Sequence, residues 1–176
     1  MKIILICGVV GAGKDTFANE MMANEDNCKI MRLATPLRTI CCDIYKFDNS
    51  EDGYTEWKSQ NREKMVNMAQ VMKKTMGRHI FAQGLINNLY DKKIDADIIL
   101  VPDFRDPVEF TCFIDYFELK DIEVIFTNYK SDRYEIRDDP DEKMAQFLIK
   151  KGLKHRERIL AEDFLFLMEE YYATQR

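Results

Sequence analysis

The feature of this sequence that most constrains its fold is a glycine-rich segment between an isoleucine-rich run and a run with helical spacing. The segment Gly8–Thr16 reads GVVGAGKDT and follows the apolar run Lys2–Cys7. Glycines let such a backbone curl so that successive N–H groups point at phosphate oxygens, and the N-terminus of the following helix adds partial positive charge. A lysine at the position of Lys14 bridges the outer phosphates of a nucleotide. The pattern therefore predicts a strand, a phosphate-binding loop and a helix.

The residue types in this loop predict ATP as co-substrate and Mg²⁺ as cofactor. Asp15 stands where Ser or Thr usually follows the lysine, and Thr16 comes one place later. A hydroxyl touches Mg²⁺ directly, whereas a carboxylate ligates it through a water or caps the helix. Both residues are therefore candidate metal ligands, and the sequence does not choose between them. The residues expected to hold the donor nucleotide are Gly8, Gly11, Ala12, Gly13, Lys14, Asp15 and Thr16.

Along the rest of the chain, short apolar runs alternate with runs of helical spacing. Strands are predicted at 2–7, 28–33, 97–103 and 123–127, and helices at 16–24, 36–47, 56–74, 79–90 and 108–117, with a polar turn at 49–54. The segment 138–170 reads as mostly helical, and its part 164–168 fits either a helix or the last strand. This alternation predicts a three-layer α/β/α domain with a five-stranded, mainly parallel sheet. Because the sequence has no Pro/Gly-rich linker, we expect a single domain over 1–176.

Charge and cysteine content limit the classes of partner and compartment. The net charge of -5 argues against a nucleic-acid interface, which normally shows as a basic face. The five cysteines are odd in number and include one vicinal pair, a pattern that favours reduced thiols over a disulfide framework. The opening apolar run is too short for a signal peptide or a membrane span. We expect a cytoplasmic protein with small-molecule partners and no membrane or nucleic-acid partner; its oligomeric state stays open, a homodimer included.

A second group of charged residues follows the third predicted strand. Asp103 closes the apolar run DIILVPD, Arg105 comes two residues later and Glu109 six residues later. In open α/β sheets, ligands bind at the carboxyl ends of the strands. An aspartate there orients Mg²⁺ or a substrate hydroxyl, and an arginine holds phosphate oxygens in a bidentate manner. These residues are therefore candidates for phosphoryl transfer, with Lys14, Asp103 and Arg105 as catalytic residues.

The loop and this second group together resemble the bacteriophage deoxynucleoside monophosphate kinase family. The resemblance rests on GVVGAGKDT, LATPLRTI, the helix beginning NREKM and the later VPDFRDPVE, and it covers roughly residues 1 to 125. It implies a P-loop nucleotide kinase domain whose helical portion, about 36–90, binds the acceptor. By matched position, the acceptor-binding residues are Arg38, Arg62, Asp103, Arg105 and Glu109. The sequence departs from the family at Met65-Val66 and Ala69-Gln70, where base recognition is expected; Gln70 is the candidate replacement, and the base preference stays open.

A polar segment after the last confident strand predicts a lid over about 128–141. Nucleotide kinases exclude water from the bound ATP, and a mobile lid does this. Arg133 and Arg137 lie in this segment and would neutralise charge on the transferring phosphoryl group.

The sequence thus predicts a kinase that transfers the γ-phosphoryl group of ATP to a deoxynucleoside monophosphate, in the host cytoplasm if it is phage-encoded. Two alternatives stay open. The same arginines would suit phosphomevalonate or dephospho-coenzyme A as acceptor, and the chain would also serve as a nucleotide-binding module without turnover.

Overall fold

The computed structural model describes residues 1–129 and 142–175. Its strands are β1 (Lys2–Cys7), β2 (Cys28–Ile30), β3 (Ile98–Val101), β4 (Ile122–Phe126) and β5 (Glu157–Leu160). Its α-helices are α1 (Lys14–Asn24), α2 (Thr35–Tyr45), α3 (Glu51–Met76), α4 (Ile80–Asp91), α5 (Pro107–Ile114), α6 (Lys143–Lys150) and α7 (Ala161–Ala173). The elements that bear on the site are β1 to β4, because their carboxyl ends share one edge of the sheet.

The five strands form one sheet in the order β2-β3-β1-β4-β5. The central strand β1 pairs in parallel with β3 and β4, so that Leu5 lies opposite both Val101 and Val124. β2 also pairs in parallel with β3. β5 runs antiparallel to β4, with Phe126 opposite Glu157. The expected α/β fold with a five-stranded, mainly parallel sheet is therefore confirmed.

The side chains of β1 alternate between two packed faces. Ile3 and Leu5 belong to the larger core cluster, whereas Ile4 and Ile6 pack with Ala18 of α1 in a smaller one. All five are fully or almost fully buried. A strand covered by helices on both sides needs apolar residues at every position, which is why this run is continuous rather than alternating.

The segment 138–170 contains a strand that the sequence did not indicate. Its described part is mostly helical, as predicted, through α6 and α7, but Glu157–Leu160 forms β5, with only Ile159 buried. An edge strand with one buried position has no apolar run by which to recognise it. The ambiguous stretch 164–168 lies within helix α7, where Phe164 and Met168 are buried four residues apart, as helical packing requires.

Helix α3 begins earlier than the sequence suggested. The predicted polar turn at 49–54 contains its N-cap, where the Ser50 side chain accepts a hydrogen bond from the Gly53 N–H, and its first turn. Ser, Asp and Gly are common in turns and at helix N-termini alike, so composition alone does not separate the two. The helix is broken at Asn61, whose backbone is non-helical.

Two expectations about the whole chain can be compared with the described residues. All five cysteines are unpaired, as the odd count suggested. Within 1–129 and 142–175, no helix has the length and apolar character needed to cross a bilayer.

Candidate functional site

The segment Gly8–Thr16, here called the glycine-rich loop, connects the carboxyl end of β1 to the start of α1. It packs closely against the residue that follows β4: the Thr127 N–H donates to the Cys7 carbonyl at 2.8 Å. A Cβ at Gly8 would lie 2.4 Å from the Thr127 carbonyl oxygen, so only glycine fits there. Gly13, at φ 80°, turns the chain into α1 in a left-handed conformation that glycine adopts readily. The loop's glycines are therefore required by its shape.

Lys14 lies beneath this loop with its side chain folded inward. Its Nζ donates hydrogen bonds to the carbonyls of Gly8 at 2.7 Å and Val9 at 2.8 Å, and the residue is 8% exposed. Burial, and after it the positive charge of Arg105, lowers the pKa of Lys14 from 10.5 to about 8. Among the described residues, its hydrogen bonds go to neutral carbonyls, and the charges of Asp15 and Glu142 supply only part of the compensating negative charge. An anion bound at the loop would supply that charge.

Glu142 joins the start of α6 to the same loop. Its Oε1 accepts a hydrogen bond from the Val10 N–H at 2.9 Å, although the residues are 132 positions apart in the chain. Glu142 is 1% exposed, and in the described part of the chain its Oε2 has no hydrogen-bond partner. No local pattern singles out this glutamate, because its role depends on a long-range contact.

Asp103 lies at the carboxyl edge of the sheet, as expected, but its carboxylate is already engaged. Its two oxygens accept hydrogen bonds from the backbone N–H groups of Leu33 at 2.9 Å and Ala34 at 2.8 Å. Burial raises the pKa of Asp103, while these two N–H groups and then Arg32 and Arg105 act in the opposite direction. In this structure, Asp103 thus fastens the connection between β2 and α2 to the end of β3.

This geometry predicts that Asp103→Ala destabilises the fold. The two N–H groups would lose their acceptors, and an unsatisfied buried donor costs about 1–3 kcal/mol. We expect the free energy of unfolding, measured by urea titration, to fall by at least about 1 kcal/mol. Asp97→Ala is the matched control, because Asp97 is exposed and accepts a single 3.3 Å hydrogen bond from Asn27. Equal stability of the two variants would contradict the role assigned to Asp103.

Glu109 supports the backbone around Arg105. Its Oε2 accepts hydrogen bonds from the N–H groups of Arg105 at 3.2 Å and Asp106 at 3.1 Å, and it forms a capping box with Asp106 at the start of α5. Lys73 Nζ lies 4.0 Å from Glu109 Oε1. Burial raises the pKa of Glu109 to about 7, against the lowering effect of Lys73 and the N–H groups. Glu109 therefore positions Arg105; direct contact with an acceptor stays a prediction.

Several basic residues lie close enough for their charges to act on one another. The pKa of Lys58 is lowered by burial and then by the charges of Arg62 and Arg105, with a smaller effect from Arg32. Arg105 also lowers the pKa of Lys14. The structure thus brings Arg62 and Arg105, both predicted acceptor-binding residues, into electrostatic range of two basic residues outside the predicted site, Arg32 and Lys58.

Neither missed residue is marked by a clear pattern in the sequence. Arg32 lies inside the predicted strand 28–33, but β2 ends at Ile30, so Arg32 follows it by two residues, just as Asp103 follows β3 by two, at the carboxyl edge of the sheet. Lys58 precedes Arg62 by four residues, but the non-helical Asn61 lies between them, so the spacing does not place them on one helix face. Together with the three predicted site residues, these two residues make a group of five cations, which we call the cation cluster: Lys14, Arg32, Lys58, Arg62 and Arg105.

Arg38 is committed to contacts within the protein. Its Nε donates to Asn49 Oδ1 at 2.9 Å and its Nη1 to Glu51 at 2.6 Å, while Nη2 donates to the carbonyls of Asn49 and Ser50. The guanidinium carbon also lies 4.3 Å from the centre of the Tyr54 ring. Arg38 therefore anchors the N-terminal end of α3, and its predicted contact with an acceptor phosphate stays untested.

The remaining predicted site residues divide into exposed ones and ones outside the described ranges. Asp15 and Thr16 are exposed at the start of α1, and Asp15 Oδ1 accepts a hydrogen bond from Arg32 Nη1 at 2.5 Å. Gln70 is exposed on α3. Arg133, Arg137 and most of the predicted lid lie outside the described residues.

Comparisons with known proteins add a distant structural likeness. No protein-family model matches the chain, and no curated protein matches its sequence. Among solved structures, a chain of the Pnkp1/Rnl/Hen1 RNA repair complex is similar, with a TM-score of 0.37 and 15% sequence identity. The match covers 91% of this chain and 48% of that chain, so this chain spans about half its length. A likeness at this level carries no argument about function.

Proposed function

We propose that the protein is a P-loop kinase that transfers the γ-phosphoryl group of ATP to a deoxynucleoside monophosphate. The observation that carries the proposal is the meeting of two cationic groups at one edge of the sheet. Lys14, beneath the glycine-rich loop, lies close enough to Arg105 for the charge of the guanidinium to lower the pKa of the lysine. Phosphoryl transfer requires two highly charged phosphates side by side, and clustered cations make that arrangement favourable.

In the proposed reaction, a phosphate oxygen of the acceptor attacks the γ-phosphorus of ATP. The bond between that phosphorus and the oxygen bridging to ADP breaks, so the products are ADP and a deoxynucleoside diphosphate. The loop N–H groups and Lys14 would hold the donor phosphates, and Arg62 and Arg105 the acceptor phosphate. Catalysis of this kind needs positioning and charge neutralisation rather than a covalent intermediate. Glu109 contributes indirectly by fixing the backbone of Arg105.

The start of α1 fits Mg²⁺, which prefers oxygen ligands and retains waters. The Asp15 side chain is 67% exposed, and its Oδ1 contacts Arg32 while Oδ2 is not engaged by any described residue. The Thr16 hydroxyl lies next to it in sequence and is exposed. Either Asp15 or Thr16 would hold Mg²⁺, which when bound would neutralise charge on the donor phosphates.

The acceptor class rests on the ordered resemblance to the phage kinases described above. The experiment is a panel of the four deoxynucleoside and four ribonucleoside monophosphates, with phosphomevalonate and dephospho-coenzyme A beside them, assayed by coupled ADP detection. We expect turnover with at least one deoxynucleotide and a several-fold or greater preference over its ribo form. A 2′-hydroxyl buried without a partner costs about 1–3 kcal/mol, which supplies that discrimination.

The other outcomes of the panel separate the alternatives. Turnover with phosphomevalonate or dephospho-coenzyme A alone would show that the protein is a kinase of a different acceptor. Nucleotide binding without ADP production for any acceptor would favour a binding module.

The state of Lys14 predicts a pH dependence of nucleotide binding. The pKa of Lys14 is about 8 in the folded protein and 10.5 in the unfolded chain. Between these two pH values, Lys14 is mostly deprotonated when the protein is folded and mostly protonated when it is unfolded. Since the unfolded chain binds more protons between these values, this residue makes stability rise with pH over that window. Bound phosphate favours the ammonium form, so nucleotide binding above pH 8 requires proton uptake and weakens by at most about tenfold per pH unit.

Titration calorimetry of ADP and Mg²⁺ binding at pH 9, in two buffers of different ionisation enthalpy, measures this uptake directly. We expect proton uptake in the wild type and less of it in Lys14→Ala. The same experiment at pH 7 is the control, because Lys14 is already protonated there. Equal uptake in both proteins at pH 9 would contradict the assignment to Lys14.

A further inference from the structure

The structure offers a contact at the glycine-rich loop that the predicted site did not include. Asp15 occupies the position after the loop lysine, and its Oδ1 accepts a hydrogen bond from Arg32 Nη1 at 2.5 Å. Arg32 lies in the connection between β2 and α2, 17 residues further along the chain. The Asp15 carboxylate therefore forms an ion pair with Arg32, which the uncharged hydroxyl of a serine or threonine could not form.

The backbone that carries Arg32 is firmly placed. The two residues after it, Leu33 and Ala34, donate their N–H groups to Asp103, and Met31 before it donates to the Leu100 carbonyl at 2.9 Å. The guanidinium at the end of the side chain is much freer, since the side chain is 42% exposed. Within the described ranges, its hydrogen bond is the one to Asp15, which leaves the N–H groups of Nε and Nη2 available. An arginine whose backbone is fixed and whose guanidinium N–H groups are available is well suited to bind a ligand.

Arg32 lies among charges of both signs. Its charge lowers the pKa of Lys58 together with the charges of Arg62 and Arg105. Against the lowering effect of burial, the carboxylates of Asp15, Asp103 and Glu51 in turn raise the pKa of Arg32. Like charges brought together repel one another, and exposed ion pairs such as Asp15–Arg32 contribute little to stability. The Asp15–Arg32 pair therefore adds little to stability by itself, whereas an anion bound between these cations would gain from each of them.

We propose that Arg32 is a further substrate-binding residue, which holds the phosphate of the acceptor, and that Asp15 is the positioning residue that orients it. This inference rests on the proposed function. Asp15 receives one N–H of the guanidinium, and the remaining N–H groups bind the acceptor phosphate next to those of Arg105. Because Asp15 belongs to the loop that binds the donor, the pair fixes the acceptor phosphate relative to the donor phosphates.

The test compares acceptor binding in Arg32→Ala, Arg32→Lys, Asp15→Asn and the double variant Arg32→Ala/Asp15→Asn. Titration calorimetry is done with each of the four deoxynucleoside monophosphates and with ADP, and the Michaelis constants are measured alongside. For the acceptor, we expect Arg32→Ala to raise the dissociation constant about tenfold or more, the range for a lost charge-assisted hydrogen bond. For ADP, it should stay within about twofold. Arg32→Lys should recover only part of the loss, because an ammonium lacks the planar fork.

The double variant distinguishes orientation from an independent contact. If Asp15 acts through Arg32, Asp15→Asn weakens acceptor binding in the wild-type background and has no further effect once Arg32 is alanine. Arg158→Ala is the matched control, since Arg158 is an exposed arginine on β5. Melting temperatures exclude a purely structural role, which would lower stability without selective loss of acceptor affinity.

The possible failures point to different conclusions. If the wild type binds and phosphorylates an acceptor, but Arg32→Ala binds it within twofold of the wild type, the inference is wrong and the proposed function stands. A loss confined to ADP affinity would also overturn it, by moving Arg32 to the donor side. If the wild type binds none of the four deoxynucleotides, both the inference and the proposed function fail.

Discussion

Replacement of Lys14 by alanine is expected to lower the turnover number by about a hundred- to a thousandfold, the range for losing one preorganised charge-stabilising group. The lysine is buried beneath the glycine-rich loop and bonded to the carbonyls of Gly8 and Val9. Its charge is therefore held at the loop that we propose binds the donor phosphates, and residues 8–16 contain no other cationic side chain to replace it. Steady-state kinetics with saturating ATP, Mg²⁺ and acceptor measure the effect.

The fold should survive this substitution. Since burial destabilises the charged form of Lys14, its removal takes away an unfavourable desolvation as well as two hydrogen bonds. Lys120→Ala serves as the control: Lys120 is an exposed residue paired with Glu118 and lies before β4, at the opposite edge of the sheet. Near-normal turnover of a folded Lys14→Ala protein would show that the loop does not bind the donor.

Arg105→Ala and Arg62→Ala are each expected to raise the Michaelis constant of the acceptor about ten- to a hundredfold, with much less change in that of ATP. A charge-assisted bond to phosphate is worth about 1.5–3 kcal/mol, which gives this range. Both arginines act on the pKa of Lys58, which places them in the same region of positive charge. The measurement is a pair of substrate titrations for each variant.

The controls for these two variants are Arg105→Lys and the surface substitution Arg158→Ala. Arg105→Lys keeps the charge without the bidentate geometry and should fall between wild type and alanine. Arg158→Ala should leave both Michaelis constants unchanged. An effect confined to ATP would assign Arg62 and Arg105 to the donor and reverse the proposed arrangement of the two sites.

The features that could be predicted from the sequence are those with local causes. The apolar run of β1 and the glycine-rich loop are contiguous patterns whose residue types are dictated by burial on two faces and by backbone curvature. The placement of Asp103 and Arg105 at the ligand-binding edge followed from a second apolar run that ends in an acid. These elements set the order of strands and helices, so the α/β class followed as well.

The features that could not be predicted depend on contacts between distant parts of the chain. Asp103 was assigned to metal or substrate, and nothing local indicated that the N–H groups of Leu33 and Ala34 would occupy its oxygens. The contact between Glu142 and Val10 joins opposite ends of the chain in the same way. Strand β5 was missed because its pairing with β4, rather than its own composition, makes it a strand.

The two outer strands have a consequence for how the molecule behaves at high concentration. β2 is three residues long, and β5 exposes Glu157, Arg158 and Leu160 while burying only Ile159. Short, charged outer strands are poor templates for the addition of a strand from another molecule. The sheet is therefore protected at both margins against the edge-to-edge association that leads to aggregates, even though its interior strands are as apolar as those of an aggregation-prone peptide.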